Sequence, residues 1–208
     1  MHRNMYKRYK HLVIQKSDDP PTAAEIRKIE RVLGAKLPAD FLDFLFVGNG
    51  SYLGDYLITV PLKPNAQVMT FSLFTTKRGP DSFLNEIKSQ RTSYIKTPEK
   101  VLPIAQNGGG SYLYLDLRER GTSPVVAFIH GLPVWTGLPQ QDELIKIADN
   151  FSDYLDLLQF DADYNKSLLV DAIAAKDDKR IAACIEYLDS ALPGWRQTLG
   201  VDIDRLSP

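Results

Sequence analysis

The residues able to do chemistry are few and scattered. His2, His11 and His130 show no metal-ligand spacing, and Cys184, the one cysteine, has no ligand partner nearby in sequence. His130 ends an apolar run beside Gly131, where a general base could sit, although a single hydrogen-bonded histidine is the commoner reading. A Cys184/His130 nucleophilic pair is formally available. Cys184, however, falls within "IAACIEYL" at a helix-core position, where an inert thiol is expected. Asp116 and Glu119 flank a turn, and nothing in their spacing marks an acid/base pair. The glycine run "NGGGS", residues 107–111, invites comparison with a phosphate cradle. Such a cradle needs its glycines between a strand and a helix N-terminus, whose N–H groups and dipole meet the anion. Here a strand pattern follows the glycines, and no Gly-Lys-Ser/Thr occurs. The run therefore reads as a hairpin turn. No catalytic, cofactor or metal site is expected, and the chain reads as non-enzymatic.

The strand after those glycines carries more information. Tyr112, Tyr114 and Asp116 alternate with Leu113, Leu115 and Leu117, so the two sets occupy opposite faces. If the leucines face the core, the tyrosines are either covered by another element or exposed to a partner. Coverage by the C-terminal helices is the expectation. Around this strand, "VLPIAQ" and "PVVAFIHG" read as neighbouring strands, and "LPVWTG" as a short fourth. "YLITVPL" and "VMTFSLFTT" are rich in β-branched and aromatic residues and read as strands further upstream. "PDSFLNEIKSQR" reads as a helix with Phe83, Leu84 and Ile87 inward.

Helices bracket this β-rich centre. Thr22 and Glu25 make a capping box, Ile26, Ile29 and Leu33 share one helical face, and Gly34 is a stop. "LPADFLDFLFVGNG" gives a second helix, with Pro38 at its first position and apolar residues nearly all round. From Asp142 a long helix is expected, lined by Leu144, Ile147, Ala148, Phe151, Tyr154, Leu155 and Leu158. Two shorter helices follow, until Pro193 and Gly194 break the pattern. The connections between strands are too short for crossovers, so the fold class is α+β with a mostly antiparallel sheet.

Composition bounds the partners. The chain has 208 residues, 44% hydrophobic and 25% charged, enough for a real core. Residues 1–16 hold five bases and no acid, and read as a frayed or weakly paired basic terminus without the features of a secretory signal. Residues 142–190 hold twelve acids against five bases. That surface argues against nucleic acid and for a basic protein partner, with a solvated helical face as the bland alternative. No apolar run approaches a membrane span. One cysteine fits a reducing cytoplasm.

"AAEIRKIERVLGAKLPADFLDFLFVGNG" (Ala23–Gly50) resembles the opening signature of the SUKH superfamily, of the Smi/Knr cell-wall-regulator type. "VLPIAQNGGGSYLYLDL" resembles that family's glycine hairpin, "PVVAFIHG" its following strand, and "IADNFSDYLDLL" its closing helix, with Phe151 and Leu155 in the usual places. The resemblance covers about residues 20–160. It leaves 1–19 as a basic tail or edge segment and 161–208 as a helical extension packed on the same body. It implies a sheet flanked by helices and no shared catalytic activity. In bacteria it implies an immunity protein that neutralises a cognate toxin, which the acidic surface would suit if the toxin were a basic nuclease-type domain. The alternatives are a regulatory scaffold, as in fungal relatives, and a small hydrolase using His130. The partner-binding candidates are Tyr52, Tyr112, Tyr114, Asp116, Trp135, Asp149 and Asp153.

Overall fold

The computed structural model describes residues 6–63, 65–131 and 142–200. The chain opens with a hairpin, β1 (Lys7–Tyr9) and β2 (Leu12–Ile14), where a frayed or weakly paired basic tail or edge segment was expected. The reason is burial. Leu12, Val13 and Ile14 are all sealed in the core, and their apolar gain outweighs the surrounding charge. The basic side chains hold the hairpin in place. Lys10 Nζ reaches Asp156 at 2.7 Å and the Ser152 carbonyl at 3.0 Å, and the Val13 N–H donates to the Tyr56 hydroxyl at 2.6 Å.

Helix α1 (Ala23–Leu33) begins at the expected box: the Glu25 N–H donates to Thr22 Oγ1 at 3.2 Å, and the Thr22 N–H to Glu25 Oε2 at 2.7 Å. Gly34 ends it at φ +81°. In α2 (Ala39–Gly48), Pro38 is the N-cap, one residue earlier than expected, and Phe46 faces outward. Next come β3 (Tyr56–Val60), β4 (Gln67–Met69) and β5 (Ser72–Leu73), so the run "VMTFSLFTT" divides between two sheets. Helix α3 (Phe83–Thr92) is capped by Ser82. Strands β6 (Val101–Gln106), β7 (Tyr112–Asp116) and β8 (Val125–Ile129) follow as the sequence suggests.

The expected long helix from Asp142 is not there. Residues Glu143–Ala148 form strand β9, and the helix, α4, runs only over Phe151–Asp156. Ile145 and Ile147 turn inward while Leu144 and Lys146 face out, which is a period of two. Asn150 then caps α4 by accepting the Asp153 N–H at 2.8 Å. "LPVWTG" lies outside the described residues. A two-residue strand, β10 (Gln159–Phe160), leads into α5 (Ala162–Ala174), α6 (Asp178–Ala191) and α7 (Trp195–Leu199).

The result is the expected α+β fold. A five-stranded antiparallel sheet has the order β5-β6-β7-β8-β9, and a three-stranded one has the order β10-β3-β4. The inner face of the larger sheet contributes Leu113, Leu115, Val125, Ala127 and Ile129 to the core. Phe41 and Phe44 of α2 meet Phe151 of α4 at ring separations of 4.8 and 5.3 Å. The C-terminal helices have a second cluster, Leu169, Leu188, Trp195 and Leu199, in which Trp195 is fully buried.

This second cluster meets the body along a polar seam. Asp55 is buried there, accepting Gln15 Nε2 at 2.8 Å on its carboxylate and the Asp161 N–H at 2.8 Å on its carbonyl. Burial pushes the Asp55 carboxyl pKa up. The Tyr187 hydroxyl is buried beside it without a hydrogen bond of ordinary geometry.

A prediction follows from the sign of that shift. An acid whose folded pKa is raised holds its proton better in the folded state. Its stabilising contribution is complete below the ordinary Asp value and is lost as pH rises through the raised one. Urea unfolding of Asp55→Asn should therefore show a shallower loss of stability than the parent chain as pH rises above the ordinary Asp range, about 4. Identical slopes in the two proteins would count against the seam's role.

Candidate partner-binding face

Strand β7 sits in the middle of the large sheet and sends its two faces to different environments. Leu113 and Leu115 are wholly buried inward, while Tyr112, Tyr114 and Asp116 point to the outer face. Pairing extends this alternation into rows. Tyr112 lies opposite Phe128 and Phe128 opposite Leu144; Tyr114 lies opposite Val126 and Val126 opposite Lys146.

The C-terminal helices do not cover this face, contrary to expectation. They dock at the Asp55 seam instead, and the cover comes from α3 and residues 93–100. The Tyr114 hydroxyl donates to Gln90 Oε1 at 2.7 Å, and Thr97 Oγ1 donates to the same oxygen at 3.0 Å. Tyr114 is thereby buried, which raises its hydroxyl pKa. The cover stops part-way across. Beyond it an apolar groove of about 440 Å³ is floored by Tyr114, Val126, Phe128 and Leu144 and walled by Tyr94 and Pro98. Tyr94 and Leu144 are 66% and 68% exposed, large values for such side chains.

Polar pairs close the two ends. At one, Arg118 grips Asp116 through Nε and Nη2 at 2.9 and 2.6 Å, which lowers the Asp116 pKa. At the other, His130 Nδ1 lies 3.0 Å from Asp142 Oδ1 and 3.4 Å from the Tyr94 hydroxyl, and Asp142 also accepts the Gly131 N–H at 2.7 Å. A carboxylate on a histidine ring is the orienting half of a nucleophilic triad. Among the described residues no serine, threonine or cysteine side chain is hydrogen-bonded to that ring, and the Tyr94 hydroxyl approaches the same nitrogen that faces Asp142. The Ser111 hydroxyl accepts the His130 backbone N–H at 3.0 Å, and Cys184 packs on the second cluster, where burial raises its thiol pKa.

The glycine run is a turn, closed by its own asparagine. Asn107 Oδ1 accepts the N–H groups of Gly109 at 2.8 Å and Ser111 at 3.0 Å. Gly110, at φ +92°, has a second reason to be glycine: a Cβ there would lie 3.1 Å from the His130 ring.

The other candidates lie elsewhere. Tyr52 is half exposed and bridges to Ser72 beside β5, at the opposite edge of the sheet. Asp149 pairs with Lys146 just after β9. The Asp153 carboxylate accepts Asn150 Nδ2 at 2.8 Å and so completes the cap of α4. Trp135 lies outside the described residues. The sequence reading missed Tyr94, Leu144 and the His130–Asp142 pair. Leu144 was assigned to a helical face, and the other two depend on contacts between distant segments.

The large sheet thus has one face in the core and an aromatic-lined groove on the other. Residues 20–157 match the SMI1 / KNR4 family (SUKH-1), and the chain belongs to that family. Proteins of this family bind partner proteins in general. No curated protein matches the chain. Among the described residues no helix is long and apolar enough to cross a membrane.

The glycine turn generates a comparison. Gly108 and Gly110 both sit at positive φ, but a Cβ on Gly108 meets nothing within 4 Å. Gly108→Ala should cost about 1–2 kcal/mol from backbone strain alone. Gly110→Ala should cost more, and His130→Ala in the same chain should narrow the difference in a double-mutant cycle. Equal costs for the two glycines would show that the His130 ring yields freely.

Proposed function

We propose that this chain is an immunity-type protein that acts without catalysis, binding a cognate bacterial toxin stoichiometrically in the cytoplasm and occluding its active site or substrate groove. The apolar groove beside β7 carries the reading. Exposed aromatic and aliphatic side chains over a rigid sheet are the anchors from which tight interfaces are built. Family membership supports a protein partner. Charge supports a basic one: Asp142, Glu143, Asp149 and Asp153 lie in or beside β9 and α4. Such a field steers association with a basic, nuclease-type domain and leaves tightness to the groove.

Co-expression with the toxin-like product of the adjacent gene tests this. Growth should be rescued, and a one-to-one complex should form. Tyr94→Ala should weaken that complex at least about thirtyfold, the scale of an interface anchor, without changing the unfolding midpoint. Toxicity that persists for every neighbouring candidate would refute the immunity reading.

A further inference from the structure

A second depression lies at the β5 edge of the large sheet, the edge opposite the groove. It has a volume of about 410 Å³, and every segment that lines it lies within the described residues. Buried residues, Ser51, Leu73 and Phe74, make its bottom, and the exposed residues Asp18 and Asp81 line its rim.

The acceptors of this pocket are held in place by the chain itself. Thr75 Oγ1 donates to Asp18 Oδ2, and among the described residues Asp18 Oδ1 receives no donor. Gly50, at φ +62°, permits that approach: a Cβ there would lie 2.8 Å from Thr75 Cβ and 3.0 Å from Asp18 Oδ2. Asp81 is fixed through its backbone carbonyl, which accepts the Thr75 N–H at 2.9 Å. Among the described residues neither carboxylate forms an ion pair. Lys77, on the turn between Thr75 and Asp81, is directed at Glu25 instead, at 3.1 Å. Ser51 supplies an independent sign of a ligand site. It is wholly buried, its N–H donates to the Gly48 carbonyl at 3.1 Å, and its carbonyl accepts the Leu73 N–H at 3.3 Å. Its Oγ has no hydrogen-bond partner among the described residues, so it is the polar atom that Ser51 has left to offer. A buried hydroxyl is seldom left in that condition unless a bound group completes it.

We propose that this pocket receives an arginine side chain of the partner protein. The proposal rests on the protein-binding reading above and adds to it a second point of contact, remote from the groove. Charge selects the occupant, since Asp18 and Asp81 together call for a cation. A guanidinium presents five donors in one plane, enough for both carboxylates and for Ser51 Oγ, where an ammonium is a compact point charge. It is also the more weakly hydrated of the two, which suits a pocket whose walls include Tyr52 and Phe74. A bare metal ion fits poorly. The volume far exceeds that of an ion, and among the described residues no group of three or more His, Cys, Asp or Glu could hold one.

The test uses the full chain, isotope-labelled, and three probes: N-acetyl-arginine amide, its lysine counterpart and its uncharged citrulline counterpart. The arginine compound should shift the amide signals of Gly50, Ser51, Leu73 and Thr75 saturably. It should bind at least about fivefold more tightly than the lysine compound and lose affinity as salt is raised. The citrulline compound should leave those signals unmoved. Ser51→Ala removes a hydroxyl that bonds nothing in the free chain, so the unfolding midpoint should hold or rise while affinity for the arginine compound falls about tenfold. Asp81→Asn should lower that affinity at least as much with the midpoint unchanged. Equal binding of arginine and citrulline, or of arginine and lysine, would overturn the proposal. So would silence of the four amides, shifts confined to the groove at residues 94–98, or unchanged affinity in Ser51→Ala. Movement of the same amides by calcium chloride, with none by arginine, would give the pocket to a divalent cation and overturn it too. Toxin rescue is read separately by growth, so a failure of the immunity reading and a failure of this pocket are told apart.

Discussion

Edge-to-face contact among the phenylalanines of α2, α3 and α4 is the constraint from which the rest follows. Phe41 meets Phe151 at 4.8 Å and Phe83 at 5.9 Å, and Phe44 meets Phe151 at 5.3 Å and Tyr9 at 5.2 Å. Each such pair adds roughly 0.5–1.5 kcal/mol to the burial of its area. Through Phe83 the cluster fixes α3, and α3 carries Gln90, which holds the Tyr114 hydroxyl. The width of the outer groove is thus set from inside the core. Through Phe151 the cluster also fixes where α4 must begin, and so where β9 must end.

A second, polar constraint lies at the end of α2. Asn49 is wholly buried, and its amide is fully engaged. Nδ2 donates to the Asp19 carbonyl and to Thr76 Oγ1, each at 2.9 Å, and Oδ1 accepts the Thr76 N–H at 2.9 Å. Three segments far apart in sequence meet at this side chain. A buried amide is tolerated because each of these groups has a partner, and the geometry admits no other register.

The sequence spoke most clearly where physics is local. Thr22 with Glu25, Gly34, the asparagine-glycine turn and the Leu/Tyr alternation of β7 need only near neighbours, and each was readable. Leu144, Ile147, Ala148 and Phe151 satisfy a helical period across what is a strand, a break and a helix, and only the capping signal of Asn150 separates them. The opening hairpin has three-residue strands, too short for a period to show among so many bases. The candidate face was legible through Tyr112, Tyr114 and Asp116. What covers it was not, because the docking of the C-terminal helices is decided by Asp55, Asp161 and Tyr187, contacts that no spacing announces. For the same reason Tyr94 and the His130–Asp142 pair appear only once distant segments are brought together.

The family match ends at residue 157, two residues before β10. Strand β10 pairs with β3, and the Phe160 ring stands 5.8 Å from Tyr56 and 6.0 Å from Tyr187. The C-terminal helices are therefore stitched to the body by its own sheet instead of hanging from a slack tether. A pull on them loads β3 directly, so the inherited boundary of the fold and its mechanical boundary do not coincide.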